Sequence, residues 1–243
     1  MLNAKANKKM GIEAIILAGG LGTRLRTSVS DVPKCMAPVA GKPFLQYVIN
    51  YLLQQGVSEF VFSLGYMNEI IEHFLIANYP NLQYRLSIET EPLGTGGAIQ
   101  LACKETKQQQ VLIVNGDTFF AIDVQKVYLF HLQKNAACTL SLKAMQQFDR
   151  YGVVETNDES MVLSFKEKQF YPNGLINGGV YMLDKESLLS KLLPEKFSFE
   201  KDYLEQFVAT ENFAALEQDA YFIDIGIPQD FEQAQLDFKE NNI

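Results

Sequence analysis

The sequence contains no tryptophan, only two histidines and only three cysteines. Cys35, Cys103 and Cys138 stand far apart and are odd in number, which shows neither zinc-ligand spacing nor a disulfide framework. No apolar run approaches the length of a membrane span. Positive charge is also scarce: 21 Lys and Arg against 29 Asp and Glu leave a formal net charge of −8. That balance argues against a broad nucleic-acid or anionic-membrane surface, so cations that meet an anionic ligand must be local to a site. Residues 1–10 are polar and lack the apolar stretch of a signal peptide. They are expected to form a flexible tail, and a reducing cytoplasm fits the cysteine usage. What is present is a chain of 243 residues, 47% hydrophobic, enough to bury a sizeable core. With no Pro- or Ser-rich linker and no repeat, one domain is expected over 11–243.

The most informative stretch is Ile12–Pro43. Ile15, Ile16, Leu17 and Ala18 form a short apolar run bounded by glycine, as a buried strand does. Gly19-Gly20-Leu21-Gly22-Thr23-Arg24 follows, and three glycines in four residues let backbone N–H groups approach an anion closely. Arg24, Arg26 and Lys34 come soon after. A glycine loop leaving a strand, with cations behind it, is physically suited to a polyphosphate. It is not a Walker A loop, because G-x-x-x-x-G-K-[ST] is absent. It is not the dinucleotide fingerprint either, because the third glycine is missing.

Helical spacing predicts helices over Phe44–Gln55, ended by Gly56, and over Asn68–Phe74. Phe60–Leu64, Tyr84–Ile88 and Val111–Val114 read as strands. Glu91–Gly97 is a second glycine loop leading into a helix from about Ala98. Strands alternating with helices predict an α/β fold, a Rossmann-like, mostly parallel sheet with helices on both faces. Ligands on such sheets bind beyond the carboxyl ends of the strands. Gly19–Arg24, Glu89–Gly97 and Asn115–Asp117 all lie at such ends. Thereafter the rhythm changes: strands are expected at Thr139–Lys143, Tyr151–Glu155, Met161–Lys166, Leu175–Leu183 and Phe213–Tyr221, with helices at Glu200–Val208 and Asp230–Lys239, so the sheet should be mixed. His73 and His131 fall in helical stretches and match no motif, as structural or surface residues do.

Leu17–Leu25 as LAGGLGTRL, Pro33-Lys34 and Pro38–Pro43 as PVAGKP together resemble the signature of the sugar-1-phosphate nucleotidyltransferases. Arg26-Thr27-Ser28 departs from the Pro-Leu-Thr common there. The resemblance covers Gly11–Asn241 and implies the nucleotide-diphospho-sugar transferase fold, in one domain with a sugar-binding half. It implies attack of a sugar 1-phosphate on the α-phosphorus of a nucleoside triphosphate. Arg24, Lys34 and Asp117 would be the catalytic residues. Leu17, Ala18, Gly19, Gly20, Gly22, Thr23, Arg24, Glu89, Gly94 and Thr95 would bind the nucleotide. Phe222-Ile223-Asp224-Ile225-Gly226-Ile227-Pro228 resembles W-x-D-I-G-T-P, with Phe222 and Ile227 as departures, and pairs Asp224 with Asp117 as the metal site. Oxygen ligands and bound phosphates point to Mg²⁺. The sugar side is implied by Tyr151–Glu155, Phe165–Lys168 and Asn177–Tyr181, giving Gly152, Glu167, Lys168, Asn177 and Gly178; taken alone, Lys166–Lys168 is a solvated charge run.

Glu89 accepts hydrogen bonds only, which suits the adjacent N1–H and N2–H₂ donors of guanine, and Glu91 competes for that role. VSDVPK at Val29–Lys34, MAPVAG at Met36–Gly41, EPLGTGGAI at Glu91–Ile99 and NGDTFF at Asn115–Phe120 resemble the D-glycero-α-D-manno-heptose 1-phosphate guanylyltransferases. GTP and that sugar phosphate are the expected substrates, with no nucleic-acid or membrane partner and homo-oligomerisation left open. Mannose-1-phosphate guanylyltransferase and N-acetylmuramate-1-phosphate uridylyltransferase are the alternatives. A non-catalytic sensor of nucleotide sugars on the same fold is the alternative of a different class.

Overall fold

The computed structural model describes residues 11–20 and 32–240. Strand β1 (Ile12–Leu17) forms the centre of the sheet. A hairpin of β2 (Pro38–Val39) and β3 (Lys42–Pro43) turns at Ala40 and Gly41, both at positive φ, and delivers the chain to α1 (Phe44–Gln54). Gly56, at φ 91°, closes α1 as the sequence predicts. Then come β4 (Val57–Leu64), α2 (Asn68–Asn78), β5 (Tyr84–Ile88), α3 (Gly94–Cys103), β6 (Gln110–Asn115) and β7 (Thr118–Phe120). Helix α4 (Val124–Lys134) is capped by the Asp123 carboxylate, which accepts from the Lys126 N–H. The second half adds β8 (Cys138–Phe148), β9 (Val153–Thr156), β10 (Val162–Lys166), β11 (Tyr171–Asp184), the short α5 (Lys185–Leu189), a π-helical segment Phe199–Glu205, β12 (Phe213–Glu217), β13 (Phe222–Asp224) and α6 (Pro228–Glu240).

The nine-stranded sheet runs β10-β9-β11-β6-β1-β4-β5, with β8 beside β11 and β12 beside β8. Strands β6, β1, β4 and β5 are mutually parallel, and β11 joins β6 antiparallel, so the sheet is mixed and mostly parallel on the half that carries the glycine loop. Leu17 stands beside Ser63 on one side and Asn115 on the other, which brings the carboxyl ends of β1, β4 and β6 to one level. Both faces are covered. Ala14 and Ile16 enter one core with α1 and α6, while Ile15 enters the other with α3 and Phe199, Tyr203 and Leu204. A strand buried on both faces is apolar on both, which is why Ala14, Ile15, Ile16 and Leu17 read as a continuous run rather than an alternation.

One polar residue breaks that rule. Glu13 is buried on β1, pairs with Arg85, and accepts from the Lys107 and Gln108 N–H groups at 2.8 and 2.9 Å. His131 is likewise buried and fully bonded. Gln110 donates its amide N–H to Asp184, so its carbonyl faces His131 Nε2 at 2.6 Å, and the Thr139 hydroxyl lies 2.9 Å from Nδ1. That network holds a neutral imidazole protonated at Nε2. Burial pushes its pKa down to about 4, against a weaker upward pull from Asp184. The unfolded chain, with an ordinary histidine pKa near 6.5, therefore binds the proton first as pH falls. Stability is expected to be unaffected above pH ~7 and to decline between about 6.5 and 4, by about 3 kcal/mol from this residue. Urea melts of the wild type and His131→Gln across that range check it; parallel pH profiles would refute it.

Several element bounds differ from expectation. Helix α3 starts at Gly94 rather than Ala98, so the second glycine loop is the helix's own first turn. The strand expected over Tyr151–Glu155 begins at Val153, and that over Phe213–Tyr221 ends at Glu217, where the chain breaks before starting β13. Strand β11 extends well beyond Leu175–Leu183 because it serves three partners, β6, β8 and β9, along its length.

Candidate active site

A cavity of about 840 Å³ opens beyond the carboxyl ends of β1, β4, β5 and β6. Leu17, Ala18, Gly19 and Gly20 line one wall, and Glu89, Gly94 and Thr95 another. Lys34, Asp117 and Asp224 share the lining. The expected residues Gly22, Thr23 and Arg24 lie outside the described residues, as does the tail 1–10.

Long-range pairing brings the three charged side chains together. Asn115-Gly116-Asp117 leaves β6 with the Gly116 N–H donating to the Leu17 carbonyl at 2.8 Å. A Cβ at 116 would lie 2.8 Å from that same oxygen, so the turn needs glycine. Asp224 arrives from the other end of the chain: β13 pairs with β7, placing Asp224 opposite Thr118, and the Ile225 N–H donates to the Asp117 carbonyl at 3.1 Å. Lys34 opens a 3-10 turn whose next two residues, Cys35 and Met36, are buried and anchor it. Its ammonium bonds to Asp117 and lies 3.4 Å from Asp224 Oδ1. Burial alone would push the Lys34 pKa down, but the two carboxylates outweigh it and hold the ammonium above the ordinary lysine range. Asp224 is raised, by burial first and by the Asp117 charge second, with Lys34 pulling the other way. Gly226 completes the cluster: its N–H donates to Asp224 Oδ1 at 2.7 Å, and a Cβ there would meet Lys34 Nζ at 2.6 Å.

This donor set fits a divalent cation. Among the described lining residues, Lys34 is the one cation and five carboxylates face the cavity, namely Glu69, Glu89, Glu91, Asp117 and Asp224. Two convergent carboxylates supply oxygen ligands of the kind hard cations prefer, and in this structure Lys34 Nζ pairs with both.

Glu89 spans from the end of β5 back over the first loop. Its Oε2 accepts from the Leu93 N–H at 2.9 Å, and its Oε1 lies 3.2 Å from where a Cβ on Gly19 would be. Burial raises its pKa, partly offset by the Leu93 N–H. Glu91 is exposed on the same rim. The glycines of Gly94–Gly97 have a structural task beyond lining the cavity. The segment Glu195–Phe199 lies across the start of α3, with the Gly96 N–H donating to the Phe197 carbonyl and the Phe197 N–H to the Leu93 carbonyl. Cβ atoms at 94, 96 and 97 would strike Phe197 and the Glu195 carbonyl.

The sugar-side candidates lie outside the cavity lining. Val153 pairs with both Lys166 and Ile176, so Gly152, Glu167 and Asn177 stand one residue further along the same three chain segments. Glu167 and Lys168 are exposed. Gly152 is needed because its backbone passes against the Lys166 carbonyl, and Gly178 because the Phe120 ring packs on it. Both glycines thus have a cause within the chain itself, whereas the expectation for Gly152 is an approach to sugar. The sugar-side stretch Asn177–Tyr181 ends on Tyr181 without giving it a role, and no residue pattern singles out Glu200. The hydroxyl of Tyr181 bonds both Asn177 and Glu200, and Glu200 reaches Thr95. Phe199-Glu200-Lys201-Asp202 carries no local mark beyond helical periodicity.

No helix among the described residues is long and apolar enough to cross a membrane. The nucleotidyl transferase family matches residues 13–241. The chain is 49% identical over 224 residues to a D-glycero-alpha-D-manno-heptose 1-phosphate guanylyltransferase of Aneurinibacillus thermoaerophilus, covering 92% of this chain and 97% of that one. A protein of the same name from Campylobacter jejuni is 44% identical over 220 residues, covering 90% and 97%. The crystal structure of HddC from Yersinia pseudotuberculosis complexed with GMP-PN superposes with a TM-score of 0.85 at 40% identity, covering 94% of this chain and 100% of that chain. Members of the family generally use a divalent metal. By sequence over nearly its whole length, and by fold, the chain belongs to the nucleotidyl transferase family, as a sugar-1-phosphate nucleotidyltransferase.

Proposed function

We propose that this enzyme joins GTP and D-glycero-α-D-manno-heptose 1-phosphate to give GDP-D-glycero-α-D-manno-heptose and pyrophosphate, in the cytoplasm, for bacterial surface glycans. The observation that carries the reaction is the meeting of Lys34, Asp117 and Asp224 in one cavity at the strand ends. The names of the relatives at 49% and 44% identity support the sugar and the base.

An oxygen of the sugar phosphate attacks the α-phosphorus of GTP. A new P–O bond forms, the bond to the β-phosphate bridging oxygen breaks, and its electrons leave with pyrophosphate. The nucleophile is already an anion, so no general base is required, and catalysis is positioning and charge neutralisation. Lys34 would draw the two anions together at the α-phosphorus, its compact charge suited to a crowded junction. Arg24 would clamp the β- and γ-phosphates. Asp117 and Asp224 would hold Mg²⁺, which when bound supplies charge neutralisation at the phosphates. Leu17 to Gly20, with Gly22 and Thr23, would cradle the nucleotide. Glu89, already oriented by the Leu93 N–H, keeps lone pairs for the guanine N1–H and N2–H₂, with Gly94 and Thr95 beside it. Gly152, Glu167, Lys168, Asn177 and Gly178 would form the sugar side.

The test is pyrophosphate release with Mg²⁺, crossing GTP, UTP, dTTP, ATP and CTP against heptose 1-phosphate and mannose 1-phosphate. Release with GTP alone, faster with the heptose, is expected. Faster release with mannose 1-phosphate would correct the sugar, and release with UTP would correct the base. Binding of a nucleotide sugar without release from any pair would mark a sensor.

A further inference from the structure

Glu200 carries three hydroxyl donors and has no assigned task. Its Oε2 accepts from Thr95 Oγ1 at 2.9 Å and from Ser198 Oγ at 3.2 Å, and its Oε1 accepts from the Tyr181 hydroxyl at 3.3 Å. Each hydroxyl already accepts from an N–H: Thr95 from the Phe199 backbone, Ser198 from the Lys201 backbone, Tyr181 from Asn177 Nδ2 at 2.8 Å. Each therefore has its single hydrogen to give, and all three give it to Glu200. Glu200 is thus the common acceptor of the three hydroxyls.

The consequence runs to Asn177. A carboxylate at 200 offers Tyr181 an acceptor, so the tyrosine oxygen receives N–H from Asn177; this works together with the Gly179 N–H at 3.1 Å in holding the amide with Nδ2 toward Tyr181 and Oδ1 toward Gly179. One amide hydrogen and one carbonyl lone pair of Asn177 remain for a ligand. Tyr181 is fully buried and β11 holds it rigidly, so the relay has little freedom to rearrange. On its other side, Thr95 lines the cavity. We propose that Glu200 is a positioning residue that sets the orientation of Asn177 for the sugar phosphate and, through Thr95, ties it to the wall of the nucleotide cavity. This rests on the sugar-side reading of Asn177 given above.

A glutamine at 200 cannot accept from all three hydroxyls. With its amide N–H toward Tyr181, the tyrosine hydrogen loses its acceptor; it finds one only if Asn177 turns over and forfeits its bond from Gly179, so the amide is no longer held in one orientation. The expected result is that E200Q raises the KM for the sugar 1-phosphate about tenfold, the effect of roughly one lost hydrogen bond, while the KM for GTP changes less than about threefold because Phe199 still holds Thr95. Acting through Asn177, E200Q should add less than about twofold in an N177A background. An equal factor in both backgrounds would mean a merely structural role and overturn the proposal. An unchanged KM in E200Q, with a raised KM in N177A, would overturn it as well while keeping Asn177 as a sugar residue. Unchanged KM in N177A, with normal wild-type turnover, would remove Asn177 from the sugar site and the proposal with it. Y181F, which deletes only the relay hydroxyl, gives the same reading should E200Q fail to fold.

Discussion

Lys34→Ala is expected to lower kcat for pyrophosphate release by about 10³-fold while the protein stays folded, the scale seen when one preorganised charge at a reacting phosphoryl or acyl centre is removed. The reason is position. Lys34 is largely buried, contacts both carboxylates of the candidate metal pair, and is the one described cation on the cavity wall. Water entering in its place screens the approaching anions but cannot neutralise them. The fold should survive because the 3-10 turn is anchored by Cys35 and Met36, and because Asp117 and Asp224 each remain a third exposed, so solvent can reach them. Lys34→Arg should not rescue. The ammonium packs close beside Gly226 and between two carboxylates, and a planar guanidinium would place its charge and donors differently from a compact ammonium there. Steady-state turnover beside a thermal melt checks both variants. Turnover within about tenfold of wild type, with a native melt, would remove Lys34 from the mechanism.

The largest effect on stability is expected at Glu13, far from the chemistry. Glu13→Ala should cost about 3–5 kcal/mol, since deleting one partner of a buried pair strands the other. Arg85 loses its buried partner and keeps only Glu59, while the Lys107 and Gln108 N–H groups lose their acceptor. For a chain of this size that corresponds to a fall in melting temperature of roughly 6–20 °C. Glu13 lies at the amino end of β1 and the cavity at its carboxyl end, so kcat at ordinary assay temperature should hold. Glu13→Gln should cost less, because one amide oxygen still accepts from the 107–108 turn. A drop in melting temperature below about 2 °C for the alanine variant would show that water replaces the carboxylate at little cost.

Much of the architecture can be read locally. The cores of β1, β4 and β6 are short, largely buried and mostly apolar, so they stand out without any knowledge of their partners, and Tyr84–Ile88 is read as a strand although it is only half-buried. Gly56 ends α1 where expected. The second half is harder to read, because strands such as β8 and β11 pass between partners, and their exposed stretches lose the period of two. The start of α3 departs from expectation for a specific reason. Gly94, Gly96 and Gly97 look like a loop by propensity, yet Gly94, at φ +73°, opens the helix and Gly96 and Gly97 lie within it, with the Glu195–Phe199 segment packed where their side chains would be.

Which chemical groups are on offer is written in short windows of the chain. A glycine loop behind a buried strand, a lysine after proline, a carboxylate in Asn-Gly-Asp and another in Asp-Ile-Gly are each legible there, because they are demands of local backbone and of residue type. Which of these groups meet is decided in the folded molecule; no local window shows it, and within the sequence only the family resemblance pairs Asp224 with Asp117. Pairing of β13 with β7 is what sets Asp224 beside Asp117, and the seating of Glu195–Phe199 on α3 is what brings Glu200 to Thr95 and Tyr181. Most of these contacts join residues about a hundred positions apart, and their energy lies in packing and hydrogen bonds that no local window contains.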